Sequence, residues 1–122
     1  MAKVLISPGK YVQGAGEMKK LGEYAQNYGK KALILISKGG YKRIGVMVEK
    51  SFEGKECGYV FDYFNGECSK KEIKRLGEIV KKEACDVVIG IGGGKISDTA
   101  KAVAYYEKTP VLICPTIAST DA

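Results

Sequence analysis

Two apolar runs constrain this chain more than any other feature. Ala32-Leu33-Ile34-Leu35-Ile36 and Asp86-Val87-Val88-Ile89-Gly90-Ile91 show almost no alternation of polar and apolar side chains. A strand with one solvated face alternates. A run without alternation is buried on both faces, as in a parallel sheet covered by helices on each side. Three further segments read as strands: Val4-Leu5-Ile6, Tyr59 to Phe64 and Thr109 to Cys114. Their β-branched and aromatic residues suit a pleated, half-buried surface.

The stretches between these runs carry a helical period. Met18, Leu21, Ala25 and Tyr28 fall on one face of a helix over residues 14–28, which Gly29 ends. Ile44, Met47, Val48 and Phe52 do the same after Gly39-Gly40, and Ile73, Leu76 and Val80 after Ser69. Ser69-Lys70-Lys71-Glu72 fits a capping box, in which the Ser69 hydroxyl accepts from the Glu72 amide and the Glu72 carboxylate reaches back. A fourth helix follows Gly92-Gly93-Gly94, with Ile96, Ala100 and Val103 on its face and Tyr105 and Tyr106 as packing residues at its end. Strands alternating with helices predict an α/β fold: a Rossmann-like, open, mostly parallel sheet flanked by helices, as a single domain over residues 1–122.

Composition narrows the chemistry. The chain has no His, which removes Ser-His-Asp triads, Cys-His pairs and His-ligated zinc sites built from these residues alone. The four cysteines, Cys57, Cys68, Cys85 and Cys114, form no C-x-x-C. Without a signal-peptide pattern at the start, they read as free thiols in a reducing compartment such as the cytoplasm. No apolar run reaches the roughly 18 residues that a membrane span needs, so no membrane role is expected. The net charge of +6 suits anionic partners. It does not point to nucleic acid, because Lys70, Lys71, Lys74, Arg75, Lys81 and Lys82 share their helix with Glu72, Glu78 and Glu83. Mixed charge of this kind marks a solvated face. A phospho-receiver domain is also excluded, since Ser7-Pro8-Gly9 offers no acidic cluster after the first strand.

In open α/β sheets ligands bind beyond the carboxyl ends of the strands. Gly92-Gly93-Gly94-Lys95 is the most telling of these ends, a strand running through glycines into a helix. Such a turn brings backbone N–H groups and a helix dipole to an anion. It also serves tight strand–helix packing with no ligand, and both readings stay open. The two common phosphate fingerprints fail. G-x-G-x-x-G from Gly90 meets Lys95 where its last glycine belongs. The P-loop pattern meets Ile89 and Ile96 in place of glycine and Ser or Thr.

The segment Gly90-Ile91-Gly92-Gly93-Gly94-Lys95-Ile96-Ser97-Asp98-Thr99-Ala100-Lys101 resembles the GGG-x-x-x-D-x-x-K segment of the iron-containing (group III) alcohol dehydrogenase family. Pro115-Thr116-Ile117-Ala118-Ser119-Thr120-Asp121-Ala122 is similar to that family's P-T-x-A-S-T-D-A stretch. Ser7 to Gly14 and Gly66-Glu67-Cys68-Ser69 resemble its glycerol dehydrogenase branch. The resemblance covers the whole chain and implies the N-terminal NAD-binding domain. The family's C-terminal helical domain, which supplies zinc or iron ligands, is absent from residues 1–122. By resemblance, Gly93, Gly94 and Lys95 would hold the NAD pyrophosphate, and Thr116 and Ser119 would face the rest of the cofactor. Asp121 would contact the polyol substrate. Asp98 is a further candidate, with a first-turn acid on the helix dipole as its alternative. Lys101 reads as a surface or domain-contact lysine.

The implied reaction is metal-assisted hydride transfer from glycerol to NAD, giving dihydroxyacetone, in a homo-oligomer. Residues 1–122 cannot complete it, so no catalytic residue and no metal ligand is expected among them. The alternatives are a sibling activity (a glycerol-1-phosphate dehydrogenase or a dehydroquinate-synthase-like enzyme) and an inactive dinucleotide-binding module. One position departs from the family pattern. The second strand usually ends in an Asp that bonds the adenosine ribose, and here Ser37 stands there, followed by Lys38. The loss of a carboxylate opens the site to NADP.

Overall fold

The computed structural model describes residues 9–12 and 16–115. Val4-Leu5-Ile6, Thr116, Ser119 and Asp121 lie outside the described residues. Five strands form one sheet: β1 (Gly9–Tyr11), β2 (Lys31–Ile36), β3 (Gly58–Tyr63), β4 (Val87–Gly92) and β5 (Val111–Pro115). Their order is β1-β5-β4-β2-β3, and every neighbouring pair is parallel. The helices are α1 (Leu21–Ala25), α2 (Lys38–Ser51), α3 (Lys70–Lys82) and α4 (Gly94–Glu107).

The two runs that constrain the sequence sit side by side at the centre of the sheet, with Ile36 opposite Ile91. Every residue of β4 is buried, and so is all of β2 except Lys31. Period-two alternation divides their side chains between two layers. Ala32, Ile34 and Ile36 of β2, with Val87, Ile89 and Ile91 of β4, pack against Leu21 of α1 and Val48 of α2. Leu33, Leu35 and Val88 pack on the other side against Leu76 and Val80 of α3 and Ala100 and Val103 of α4. Fully burying a Leu or Ile side chain contributes about 1.5–3 kcal/mol, so these paired layers supply most of the drive to fold.

The opposite, amino end of the central strands is closed by one carboxylate. Asp86 accepts from the Lys30 N–H at 2.8 Å and the Lys31 N–H at 2.9 Å, while its own N–H donates to the Lys31 carbonyl at 2.9 Å. Gly29 leaves room for it, because a Cβ there would lie 2.3 Å from Asp86 Oδ1.

Three expectations change. The helix over residues 14–28 is instead a single 3-10 turn, Glu17–Lys20, followed by the short α1. No residue of the turn is buried, whereas Leu21, Gly22 and Ala25 are, and short helices persist only where packing holds them. Gly22 lies against the end of α2, donating its N–H to Ser51 Oγ at 3.0 Å; a Cβ at that position would meet the Ser51 carbonyl at 2.2 Å. Second, α2 starts at Lys38 and takes in Gly39 and Gly40, ahead of the expected start. Third, Tyr105 and Tyr106 are exposed and stack on each other edge to face, with ring centroids 5.2 Å apart.

Candidate functional site

Helices α2 and α4 follow neighbouring strands but cover opposite faces of the sheet. The crevice past the carboxyl ends of β2 and β4 is therefore the topological switch point, where open α/β sheets bind ligands. The parallel register sets Ser37-Lys38 beside Gly92-Gly93 at its mouth.

The first turns of the long helices differ there. Ser37 is the N-cap of α2, its Oγ accepting from the Gly40 N–H at 2.9 Å. Ser69 caps α3 in the same way, accepting from the Glu72 N–H at 3.1 Å. The N-cap of α4 is Gly93, which has no side chain to offer. Its carbonyl accepts from the Ser97 N–H at 3.0 Å, so the helix starts normally while its first turn has no side-chain cap among the described residues. A helix start with free N–H groups and the positive end of the dipole is an anion site.

The glycines of this turn divide between the two readings left open by the sequence. A Cβ at Gly90 would lie 2.7 Å from Ala100 Cβ, so this glycine lets α4 lie close on β4. Gly92 has φ +150°, and a Cβ there would also lie 2.5 Å from Ile96 Cδ1. Gly93 and Gly94 are exposed, and a Cβ at either would meet nothing within 4 Å. The first pair serves packing and the turn. The second pair leaves the backbone open to a guest, which is the space a pyrophosphate requires.

Lys95, the next residue, projects an ammonium at this mouth and pairs with Glu67 Oε2 at 3.1 Å. Glu67 comes from the loop after β3, and a chain of contacts fixes its place. The Glu67 N–H donates to Asn65 Oδ1 at 3.1 Å, and the Asn65 N–H donates to Glu72 Oε2 at 3.1 Å. Glu72 has a fully buried side chain and accepts from Arg75 twice, at 2.8 Å each time. Arg75 also pairs with Asp62 at 2.8 Å. The Arg75 guanidinium holds the Glu72 carboxyl below its ordinary range against the opposing effect of burial, and the Asn65 N–H helps. The capping box is thus half formed, since Glu72 turns to Arg75 and the preceding loop instead of reaching back. An arginine three residues on offers a charge-assisted bond, the stronger alternative.

The structure brings Ser37, Gly93, Gly94 and Lys95 together at one crevice. Asp98 lies one turn further along α4 and is exposed. Lys101 sits over the Tyr11 ring of β1, 5.3 Å from its centroid, a contact within the chain. Lys38 is exposed, 5.9 Å from the Tyr63 ring centroid. Sequence reasoning missed the Glu67–Lys95 pair, which joins residues 28 positions apart. No local pattern signals it. Among the described residues no group of three or more Cys, Asp or Glu side chains is placed to hold a metal, so no metal step is assigned to them. Nor is any described helix long and apolar enough to cross a membrane.

Comparisons with known proteins bear on the family and the fold. The model of the iron-containing alcohol dehydrogenase family matches residues 8–122. A glycerol dehydrogenase from Citrobacter freundii is 44% identical over 122 residues, covering 100% of this chain and 33% of that protein. One from Thermotoga maritima is 46% identical over 129 residues with the same coverage, 100% and 33%. The crystal structure of glycerol dehydrogenase from Schizosaccharomyces pombe superposes with a TM-score of 0.79 at 32% identity, covering 95% of this chain and 29% of that one. The chain spans about a third of the length of the relatives it matches. With a family model matched from Pro8 to the last residue and a sheet whose glycine turn lies at the switch point, the chain belongs to the iron-containing alcohol dehydrogenase family.

Proposed function

We propose that residues 1–122 are the dinucleotide-binding part of an NAD-dependent polyol dehydrogenase acting on glycerol. The observation that carries this reading is the first turn of α4, uncapped, at the switch point, with Gly93 and Gly94 open to a guest. The N–H groups of Gly94, Lys95 and Ile96 would bind the pyrophosphate and so fix the cofactor, which supplies the hydride acceptor. Ser37 would face the adenosine ribose; Thr116 and Ser119 would complete the cofactor contacts, and Asp121 would meet the substrate. Asp98 would act on the glycine turn from the second turn of α4. Metal ligands, zinc or iron, and the second wall of the cleft would come from the part of the family fold that these residues do not span. A homo-oligomer and a cytoplasmic setting follow from the same reading, to which the four free thiols are suited.

Ser37 refines the cofactor. Its Oγ is engaged with the Gly40 N–H and carries no charge, and Lys38 stands beside it. Neither repels a 2′-phosphate, so NADP should be accepted along with NAD. Titration calorimetry tests both statements. NAD should bind saturably, and weakly (above ~100 μM) where these residues are the only wall. Gly94→Val should weaken that binding, and an unchanged affinity would place the site elsewhere. Ser37→Asp should raise the NADP-to-NAD ratio of dissociation constants; an unchanged ratio would remove Ser37 from cofactor choice.

A further inference from the structure

We propose that Glu67 sets the affinity of the cofactor site as a competing carboxylate, which occupies Lys95 until a pyrophosphate displaces it. This rests on the dinucleotide reading above. Lys95 Nζ and Glu67 Oε2 form an ion pair at 3.1 Å. Both side chains are largely exposed, 65% for Lys95 and 72% for Glu67, so water and salt screen the pair and it exchanges readily. A buried pair in the same place would not release its lysine.

The position of Glu67, unlike its side chain, is held firmly. Its N–H is tied to Asn65, the Asn65 N–H to Glu72, and Glu72 to Arg75. The loop after β3 is thus anchored by a buried carboxylate and delivers a second, exposed carboxylate to the start of α4. A negative group held there neutralises the lysine beside the uncapped N–H groups, and an incoming anion must displace it to reach that lysine. A pyrophosphate in an extended dinucleotide reaches several N–H groups of the turn and gains enough to take over Lys95. Every anion that uses Lys95 bears the same cost of displacing Glu67, so the carboxylate lowers the affinity for each by a similar factor.

The experiment compares the intact protein with Glu67→Gln, Lys95→Met and the double variant, titrating NAD and using inorganic phosphate as competitor. Glu67→Gln should bind NAD about two- to fivefold more tightly, the range an exposed ion pair supports. Phosphate should compete better by a similar factor, and both changes should vanish in the Lys95→Met background. Equal tightening with and without Lys95 would overturn displacement. Unchanged or weaker NAD binding in Glu67→Gln, beside normal binding by the unaltered protein, would overturn the role of Glu67 and leave the dinucleotide site standing. Absence of NAD binding in every form would overturn both. Neither side chain is buried, and an unchanged thermal transition checks that each variant is folded.

Discussion

Helices α3 and α4 pack on the same face of the sheet, yet their first turns are built on opposite principles. Ser69 closes α3, and Glu72 in that turn is locked by Arg75. The first turn of α4 holds two exposed glycines and no acid. One start satisfies its own backbone and contributes to stability. The other has no side-chain cap among the described residues, and forgoes roughly a few tenths of a kcal/mol relative to a Ser or Asp cap. On the dinucleotide reading, the difference separates a structural helix from a binding one within one layer of the sheet.

The contrast can be broken from the α4 side first. Gly93→Asp puts an acceptor and a charge where Gly93 now leaves space. Thermal unfolding should show an equal or slightly higher midpoint, while NAD affinity falls about a hundredfold, a loss of roughly 2.7 kcal/mol. Retained affinity would mean that the open turn is not the site. The next effect comes from α3. Glu72→Gln keeps the shape but weakens the bonds to Arg75 and Asn65, and urea unfolding at neutral pH should show a loss of about 1–3 kcal/mol. Because the native Glu72 carboxyl titrates below its ordinary value, its contribution is full above about pH 4.3. It fades as the pH falls through the lowered value, so the gap between the two proteins should narrow in acid. Equal gaps at pH 7 and pH 3 would contradict that. The smallest effect is Ser69→Ala, a loss of about 1 kcal/mol with NAD binding unchanged. Weaker binding there would erase the distinction between the two turns.

The central strands were legible because burial on both faces writes an unbroken apolar run, in β2 and β4 alike. The Ser69 cap was legible because its bond spans three residues. The glycine turn showed in the sequence, but not its division: Gly90 and Gly92 are fixed by side chains several positions along α4, Ala100 and Ile96. What escaped depends on distant partners. Gly22 and Ser51 hold α1 to the end of α2 across 29 residues, and Glu67 finds Lys95 across 28. Ser37 drew attention as a cofactor residue; its bond to the Gly40 N–H shows that it also starts a helix. Nothing local separates a serine that does one from a serine that does both. Successive helical residues point about 100° apart, so Tyr105 and Tyr106 cannot both share the face of Ile96, Ala100 and Val103, and both are exposed.

The strand order bears on how such a chain emerges from the ribosome. By the time Tyr63 has been synthesised, β2, α2 and β3 are all present and form a complete unit. The other edge of β2 must wait for Val87, the partner of Ala32. Until then one flank of the most apolar strand stands open to wrong partners, which makes that interval the stage of synthesis most exposed to misassembly.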